Sequence, residues 1–410
     1  MEQTELKENV EQKQEENILG TEKISRLVRK FSVPCIISLL VSALYNIVDQ
    51  IFIGQGVGYL GNAATNVVYP MTVIAMAFAL LVGDGGAAYL SLSLGRNDKK
   101  GARKGVINSF IMSLALSVIF LIIGLVFKDP LLKLFGVTDA IYDYSNQYMT
   151  WIVIGLPFFI ITGALNSIIR ADGSPKYAMK AMLAGAITNL ILDPIAILVL
   201  NAGVTGAAIA TVVGQIISAV MSLLYLRKFK SIEVNKESFK FDYRTSIKVL
   251  SLGISSFITQ IAVTVVIVVL NNALSQYGAM SKYGSEIPLS ALGIVMKVNS
   301  ILINISVGLA AGSQPILGYN YGAKKYDRVK KTLFFILKIS LSVTTVAFFI
   351  FQLCPQVIIN IFGQENELYN EFAQKCFRTF LMLCICSGVQ VISGIFFQAI
   401  GKPIKSTIIS

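Results

Sequence analysis

The sequence predicts an all-α polytopic membrane protein of two pseudo-symmetric six-helix lobes, the second lobe truncated after about four helices. Three observations predict this fold. The 410 residues are 54% hydrophobic and only 14% charged, whereas soluble domains carry about 25% charged residues. About ten apolar stretches are long enough to cross a bilayer, and the two halves of the chain share short motifs.

The apolar stretches follow one another along almost the whole chain. A helix needs about 20 apolar residues to cross the hydrocarbon core of a membrane. The predicted spans are residues 31–54, 66–94, 105–127, 144–170, 177–200, 203–227, 246–276, 287–318, 328–351 and 376–400. An eleventh apolar stretch begins at Pro403 and stops at the end of the sequence.

The basic residues predict the orientation. When the loops are assigned alternately to two sides, one side holds 28 Lys and Arg and the other holds 5. Lys and Arg favour the cytoplasmic side, so we expect a cell-membrane protein with a cytoplasmic N-terminus. The net charge of +12 then follows from topology, and we expect no nucleic-acid partner.

The polar segments predict the domain organisation. Residues 1–30 form a cytoplasmic N-terminal tail, whose Glu- and Gln-rich first part lacks the pattern of a signal peptide and is expected to be disordered or loosely helical. Residues 31–227 form the first lobe and residues 228–245 a polar cytoplasmic linker. Residues 246–410 form the second lobe.

An internal repeat supports this division. The Leu-Gly-x-Asn motif of residues 94–97 recurs at 317–320, and RADGSP (170–175) recurs as QAIGKP (398–403). Parallel repeats of an even number of helices are a known transporter plan. By symmetry the second lobe lacks about two helices, so we expect an incomplete chain; a natural ten-helix form is the alternative.

The composition argues against an enzyme. Histidine is absent, which excludes histidine bases, histidine-containing triads and histidine-ligated metals. The five cysteines form no zinc or haem pattern. We therefore expect a non-enzyme without a cofactor. A membrane-embedded enzyme is the alternative, but it would need a metal or nucleophile cluster.

Two aspartates are predicted to share one layer of the membrane. Counted from Val33 and Tyr177, near the inner ends of their predicted spans, Asp49 and Asp193 each lie 16 residues along the helix, which places both about 24 Å from the cytoplasmic face. Thr211 falls in the same outer half, and Asn189 lies one helical turn before Asp193. Such a set can exchange a proton or bind sodium through oxygen. The alternative is a purely structural role, in which neighbouring hydroxyl groups donate hydrogen bonds to the two aspartates.

Three further residues are candidates. Asp84 is predicted near the cytoplasmic boundary, as a functional acid or as part of a helix end that faces water. Lys297 is the only deep charge of the second half and serves either substrate specificity or a pairing with a carbonyl or an acid. Tyr45 is predicted to line a substrate cavity; packing against other helices or against lipid is the alternative.

Several segments resemble the multidrug and toxic compound extrusion (MATE) family, closest to its bacterial and archaeal branch with coupling acids in the N-terminal lobe. They are LYNIVDQIFIG (44–54), LGRNDKKGARK (94–104), IIRADGSP (168–175), NLILDPIAI (189–197) and VTGAAIATVVGQ (204–215). The resemblance spans about residues 30–405. It implies two lobes that form a V around a central cavity, which opens alternately to each side.

The resemblance also implies the site and the activity. The coupling aspartate of the family's first helix matches Asp49, the aspartate and asparagine of its fifth helix match Asp193 and Asn189, and the threonine of its sixth helix matches Thr211. The implied activity is proton- or sodium-coupled export of amphipathic, often cationic drugs or metabolites by a monomer in the lipid membrane. A flippase for lipid-linked oligosaccharide or cell-wall precursors is the alternative, although it predicts a cavity rich in Arg and Lys.

Overall fold

The computed structural model describes residues 17–234, 240–284, 286–362 and 367–409. Within these ranges the chain forms helices, turns and bends, with no β-strand. Nine of the described helices are long and apolar enough to cross a membrane, and a bent pair of helices raises the number to as many as ten. The predicted all-α membrane fold is therefore confirmed.

Six long helices form the first lobe. They are α1 (Ile24–Gly56), α2 (Tyr59–Gly95), α3 (Lys99–Val126), α4 (Tyr142–Ala171), α5 (Pro175–Pro194) and α6 (Gly203–Tyr225). Helix α4 packs against α2, α3 and α6, and its Leu156 and Ile160 are completely or almost completely buried. It therefore forms the centre of the lobe, whereas α1 and α5 pack against each other at one side.

The second group of helices contains a broken span. Its members are α7 (Tyr243–Ala279), α8 (Glu286–Gly322), α9 (Tyr326–Leu353), α10 (Glu367–Phe380) and α11 (Cys384–Ala399). The predicted tenth span at 376–400 is instead formed by α10 and α11, which meet at an angle of 43°. Helix α10 is tied to the connection between α7 and α8, because Glu371 accepts hydrogen bonds from Lys282 at 2.8 Å and from Tyr283 at 3.0 Å. A short helix, Pro403–Ile409, begins where the eleventh stretch was predicted.

The end of the predicted tail is folded onto the second lobe. Residues 1–16 lie outside the described residues, but Ile18–Thr21 forms a short helix whose Leu19 is 2% exposed. The Leu19 carbonyl accepts a hydrogen bond from Asn320 at 2.8 Å, and the Glu22 carbonyl accepts one from Arg328 at 2.7 Å. This part of the tail, which was expected to be disordered or loosely helical, is therefore an ordered helical turn, because α8 and α9 supply hydrogen-bond donors to its carbonyl groups.

The repeated motifs adopt the same local structure in both halves. Gly173 and Gly401 have positive φ angles of 86° and 77°, and each ends a helix by donating to a backbone carbonyl of the preceding turn. The following helices begin at Pro175 and Pro403, which suit the first turn because proline lacks an N–H. The matched sequences therefore make equivalent helix junctions.

The two lobes meet at the end of the bundle where α1 begins, which we call the basic end because the Lys- and Arg-rich loops lie there. Ser32 of α1 donates a hydrogen bond to the Leu309 carbonyl of α8 at 3.0 Å. Lys104 of α3 donates to Asp242, the N-cap of α7, at 2.9 Å and lowers the pKa of this carboxyl. The hydrogen bonds described between the lobes all lie in the half of the bundle nearest this end.

Backbone contact also joins the lobes in this half. A Cβ atom added to Gly253 of α7 would overlap the carbonyl oxygen of Leu81 in α2, and one added to Gly85 would overlap that of Val249. The two helices therefore approach backbone to backbone, as small residues permit in membrane proteins.

The linker after α6 is anchored by a buried acid. Asp172 is 5% exposed and accepts hydrogen bonds from Tyr225 at 2.6 Å, the Lys230 backbone at 2.9 Å and the Ser231 backbone at 3.0 Å. Residues 228–234 are thereby held against the first lobe, and residues 235–239 of the predicted linker lie outside the described residues.

We expect Asp172→Asn to lower the thermal stability of the protein. An asparagine turns an amide donor toward these donors, and each buried polar group left unpaired costs about 1–3 kcal/mol. Thermal unfolding in detergent measures the effect. The control is Asp98→Asn, which changes an exposed N-cap that accepts one backbone hydrogen bond at 2.7 Å. An equal or smaller loss for Asp172→Asn would contradict the anchoring role.

Candidate cation site

The candidate site begins with two side chains on one face of α5. Asn189 and Asp193 are separated by one helical turn and are 3% and 1% exposed. The Asn189 amide donates to Asp193 Oδ1 at 3.0 Å and also to the Thr211 hydroxyl oxygen of α6 at 3.2 Å. These contacts fix the orientation of the amide and leave its carbonyl oxygen without a hydrogen-bond donor among the described residues.

The end of α5 explains how Asp193 is presented. The next residue, Pro194, lacks a backbone N–H, and a π-helical segment, Ile195–Val199, follows directly. Such segments are frequent at functional sites because they interrupt the regular α-helical hydrogen bonding. The end of α1 packs here too, since a Cβ atom added to Gly56 would overlap the side chain of Ile197.

Helix α1 contributes the second acid. The carboxyl groups of Asp49 and Asp193 are close neighbours that interact electrostatically. Two ionised carboxylates repel at this separation, and a hydrogen bond between carboxyl groups requires a proton on one of them. The arrangement therefore favours either a bound proton or a cation between the acids.

Two oxygen atoms at the site have no hydrogen-bond donor. Asp49 Oδ1 and Asn189 Oδ1 are buried and accept no hydrogen bond from the part of the chain that the structure describes. Buried polar atoms normally have partners. Together with the oxygen atoms of Asp193 and Thr211, they make an all-oxygen set, which suits a proton or a hard monovalent cation.

Two phenols border the acids. Tyr45, one helical turn before Asp49, and Tyr148 of α4 both interact electrostatically with Asp49 and Asp193. Sequence reasoning identified Tyr45 but missed Tyr148. The sequence carries no motif that marks Tyr148, because its place beside the acids depends on tertiary packing against a cluster that includes Ile53 of α1 and Ala207 of α6.

The other two candidates lie elsewhere. Lys297 is exposed on α8 and makes no hydrogen bond or ion pair with the residues described, so nothing joins it to the acids. Asp84 does not lie at a water-facing helix end, contrary to one expectation, because α2 continues for eleven residues beyond it to Gly95. It is instead largely buried between the lobes, and its side chain is 16% exposed.

The chain is similar to known transporters in sequence and in fold. The profile of the MatE family matches residues 34–195 and again residues 256–410. Multidrug export protein MepA of Staphylococcus haemolyticus (strain JCSC1435) is 27% identical over 398 residues, which cover 94% of this chain and 84% of that protein.

Solved structures show the same fold. The MATE multidrug transporter DinF-BH, solved in complex with a ligand, is 31% identical, with a TM-score of 0.87, and the match covers 97% of this chain and 88% of that one. A structure described as MATE in the straight conformation has the same TM-score of 0.87 at 23% identity and covers 95% of this chain and 86% of its own.

Proposed function

This chain belongs to the MATE family, and we propose that it exports amphipathic small molecules across the cell membrane in exchange for protons or sodium ions. The observation that carries this proposal is the pairing of Asp49 with Asp193 inside a membrane-spanning lobe. Ionisable groups within membrane spans usually mark ion or substrate pathways.

The acid pair supplies a physical means of coupling. Without a cation the two carboxylates repel, and a bound proton or sodium ion removes this repulsion. Asp49 lies on α1 and Asp193 directly precedes Pro194 on α5, so the occupancy of the site changes the force between these helices. A ligand shifts a conformational equilibrium only through its different affinity for the two states, and this repulsion provides that difference.

The substrate class follows from the same site. When the cation leaves, the pair presents negative charge beside the aromatic rings of Tyr45 and Tyr148. Negative charge and aromatic faces attract organic cations. The names of the relatives support export of small molecules, since one is a multidrug export protein and another is a multidrug transporter solved with a bound ligand.

We propose alternating access as the mechanism, with the basic end in the cytoplasm. The described lobes contact each other in the half nearest this end, which suits a state that is closed toward the cytoplasm. Cation entry from outside would then precede a state in which this contact opens to admit substrate.

Transport by purified protein in vesicles tests the proposal. Vesicles containing the protein are given either a proton gradient or a sodium gradient, and the movement of a fluorescent cation such as ethidium is followed. We expect one of the gradients to drive dye uptake against its concentration difference, and an ionophore that collapses the gradient to stop it. Dye movement that is independent of both gradients, or translocation of a lipid-linked precursor instead of dye, would contradict the proposal.

A further inference from the structure

Asp84 is a buried acid that the proposed coupling does not use. It lies on α2, about 16 Å from the end of that helix. Ser167 of α4 donates a hydrogen bond to Asp84 Oδ1 at 2.7 Å. Arg170, one turn further along α4, places Nη2 4.0 Å from the same oxygen. One side of the carboxylate is therefore neutralised and held within the first lobe.

The other carboxylate oxygen faces the second lobe. Ser256 of α7 donates a hydrogen bond to Asp84 Oδ2 at 2.9 Å. The Ser256 hydroxyl oxygen in turn accepts a hydrogen bond from Gln398 of α11 at 3.0 Å, and Gln398 also donates to the Leu252 carbonyl at 3.0 Å. We call Asp84, Ser167, Arg170, Ser256 and Gln398 the Asp84 network. It joins four helices from the two lobes.

The internal repeat places equivalent residues on the two sides of this network. Arg170 begins RADGSP, and Gln398 begins the matching QAIGKP. Arg170 supports Asp84 from the first lobe, and Gln398 orients Ser256 from the second. The network therefore lies where the two halves of the protein meet, and not within the packing of one lobe.

The distribution of charge suits a contact that must break and form again. The ion pair between Asp84 and Arg170 lies within one lobe, and Arg170 also donates to Ser167 at 2.9 Å. Among the described residues, the hydrogen bond from the neutral Ser256 is the one that crosses between the lobes at this carboxylate side chain. Separation of the lobes would therefore not leave a charge without its counter-charge, which would be costly in a buried site.

We propose that Asp84 is a positioning residue for transport, whose hydrogen bond from Ser256 holds the basic end closed and sets the balance between closed and open states. The bond forms when the lobes meet and breaks when the basic end opens. This role rests on the alternating access proposed above. It requires neither Asp49 nor Asp193, so it can be tested without cation or substrate.

The protein contains its own reporter of opening. Cys35 of α1 is 3% exposed and interacts electrostatically with Asp84 and Arg170. Its neighbours on α1, Ser32 and Ile36, contact α8 of the second lobe. Separation of the lobes at the basic end therefore exposes the Cys35 thiol to a soluble reagent.

A matched pair of variants provides the test. Ser256→Ala removes the hydrogen bond between the lobes, whereas Ser167→Ala removes a hydrogen bond to the same carboxylate within one lobe. The rate of Cys35 labelling by N-ethylmaleimide is measured by mass spectrometry, without a gradient or substrate. Because a hydrogen bond to a charged group contributes more than about 1.4 kcal/mol, we expect Ser256→Ala to raise the rate about tenfold. We expect Ser167→Ala to change the rate of Cys35 labelling less than about twofold. A change of this size is smaller than the loss of even a weak hydrogen bond between the lobes would produce.

Two further measurements separate this role from general loosening of the fold. Ser256→Thr keeps the hydroxyl group and should label like the wild type. Cys384 is 3% exposed in the core of the second lobe and should stay unlabelled in every variant. Unchanged Cys35 labelling in Ser256→Ala, equal labelling in Ser167→Ala, or concurrent labelling of Cys384 would each overturn the proposal. Because no gradient is applied, these results do not depend on which cation, if any, drives export.

Discussion

Replacing Asp49 with asparagine is expected to abolish cation-driven dye transport, with a loss of at least about a hundredfold. Asparagine keeps the shape of the side chain but cannot change its charge, so the repulsion with Asp193 is permanently absent. The site then no longer distinguishes its loaded and empty states, and a ligand without such a difference shifts no equilibrium. The measurement is dye uptake into vesicles under the gradient that drives the wild-type protein.

The control is Asp143→Asn, which removes one negative charge from an exposed position in the first turn of α4. It should transport like the wild type. Asp193→Asn should resemble Asp49→Asn, because the two acids act as a pair. Dye binding measured by fluorescence polarisation should be weaker in both, because one negative charge is lost, and should no longer depend on the driving cation. Full coupled transport in either variant would exclude that acid from the mechanism.

The second large effect is expected at the contact between α2 and α7. Gly253→Ala places a methyl group on the carbonyl oxygen of Leu81, which belongs to the backbone and cannot rotate away. Overpacking of this kind costs about 3 kcal/mol when the surroundings cannot relax. We expect a lower unfolding temperature and faster labelling of Cys35, because the helices must separate at the basic end.

Gly293→Ala provides a matched comparison in the same lobe. Gly293 lies within α8, and a Cβ atom added there meets nothing within 4 Å in the structure. Alanine also favours a helix over glycine by about 1 kcal/mol, so this variant should be as stable as the wild type or slightly more stable. If Gly253→Ala had the same unfolding temperature and the same rate of Cys35 labelling as Gly293→Ala, the close approach of the α2 and α7 backbones would be contradicted.

Much of the site geometry could be anticipated from residue positions alone. The rise of a helix per residue is constant, so the predicted starts of two spans placed Asp49 and Asp193 at one depth. The structure brings their carboxyl groups together, with Asn189 and Thr211 beside Asp193 and joined to each other by a hydrogen bond. The roles of these residues in coupling stay predictions that the variants above test.

Other features depended on contacts that no local pattern contains. The position of α10 is one example, because Glu371 accepts hydrogen bonds from Lys282 and Tyr283 in the connection between α7 and α8. Tyr148 reaches the acids only because α4 occupies the centre of the first lobe. Hydropathy describes how deep a residue lies, but it does not describe which helix lies beside it.

Asp84 shows this difference most clearly. The sequence alone determined the apolar helices, their order relative to the basic loops and the similar depth of Asp49 and Asp193, because hydrophobicity and helical rise act along the chain. Only the tertiary structure decided that Asp84 faces Ser256, since these residues are 172 positions apart and meet only where two lobes pack. The depth of a residue in the membrane depends on its own helix alone. The residue that it contacts on another helix depends on how the complete surfaces of the two helices pack.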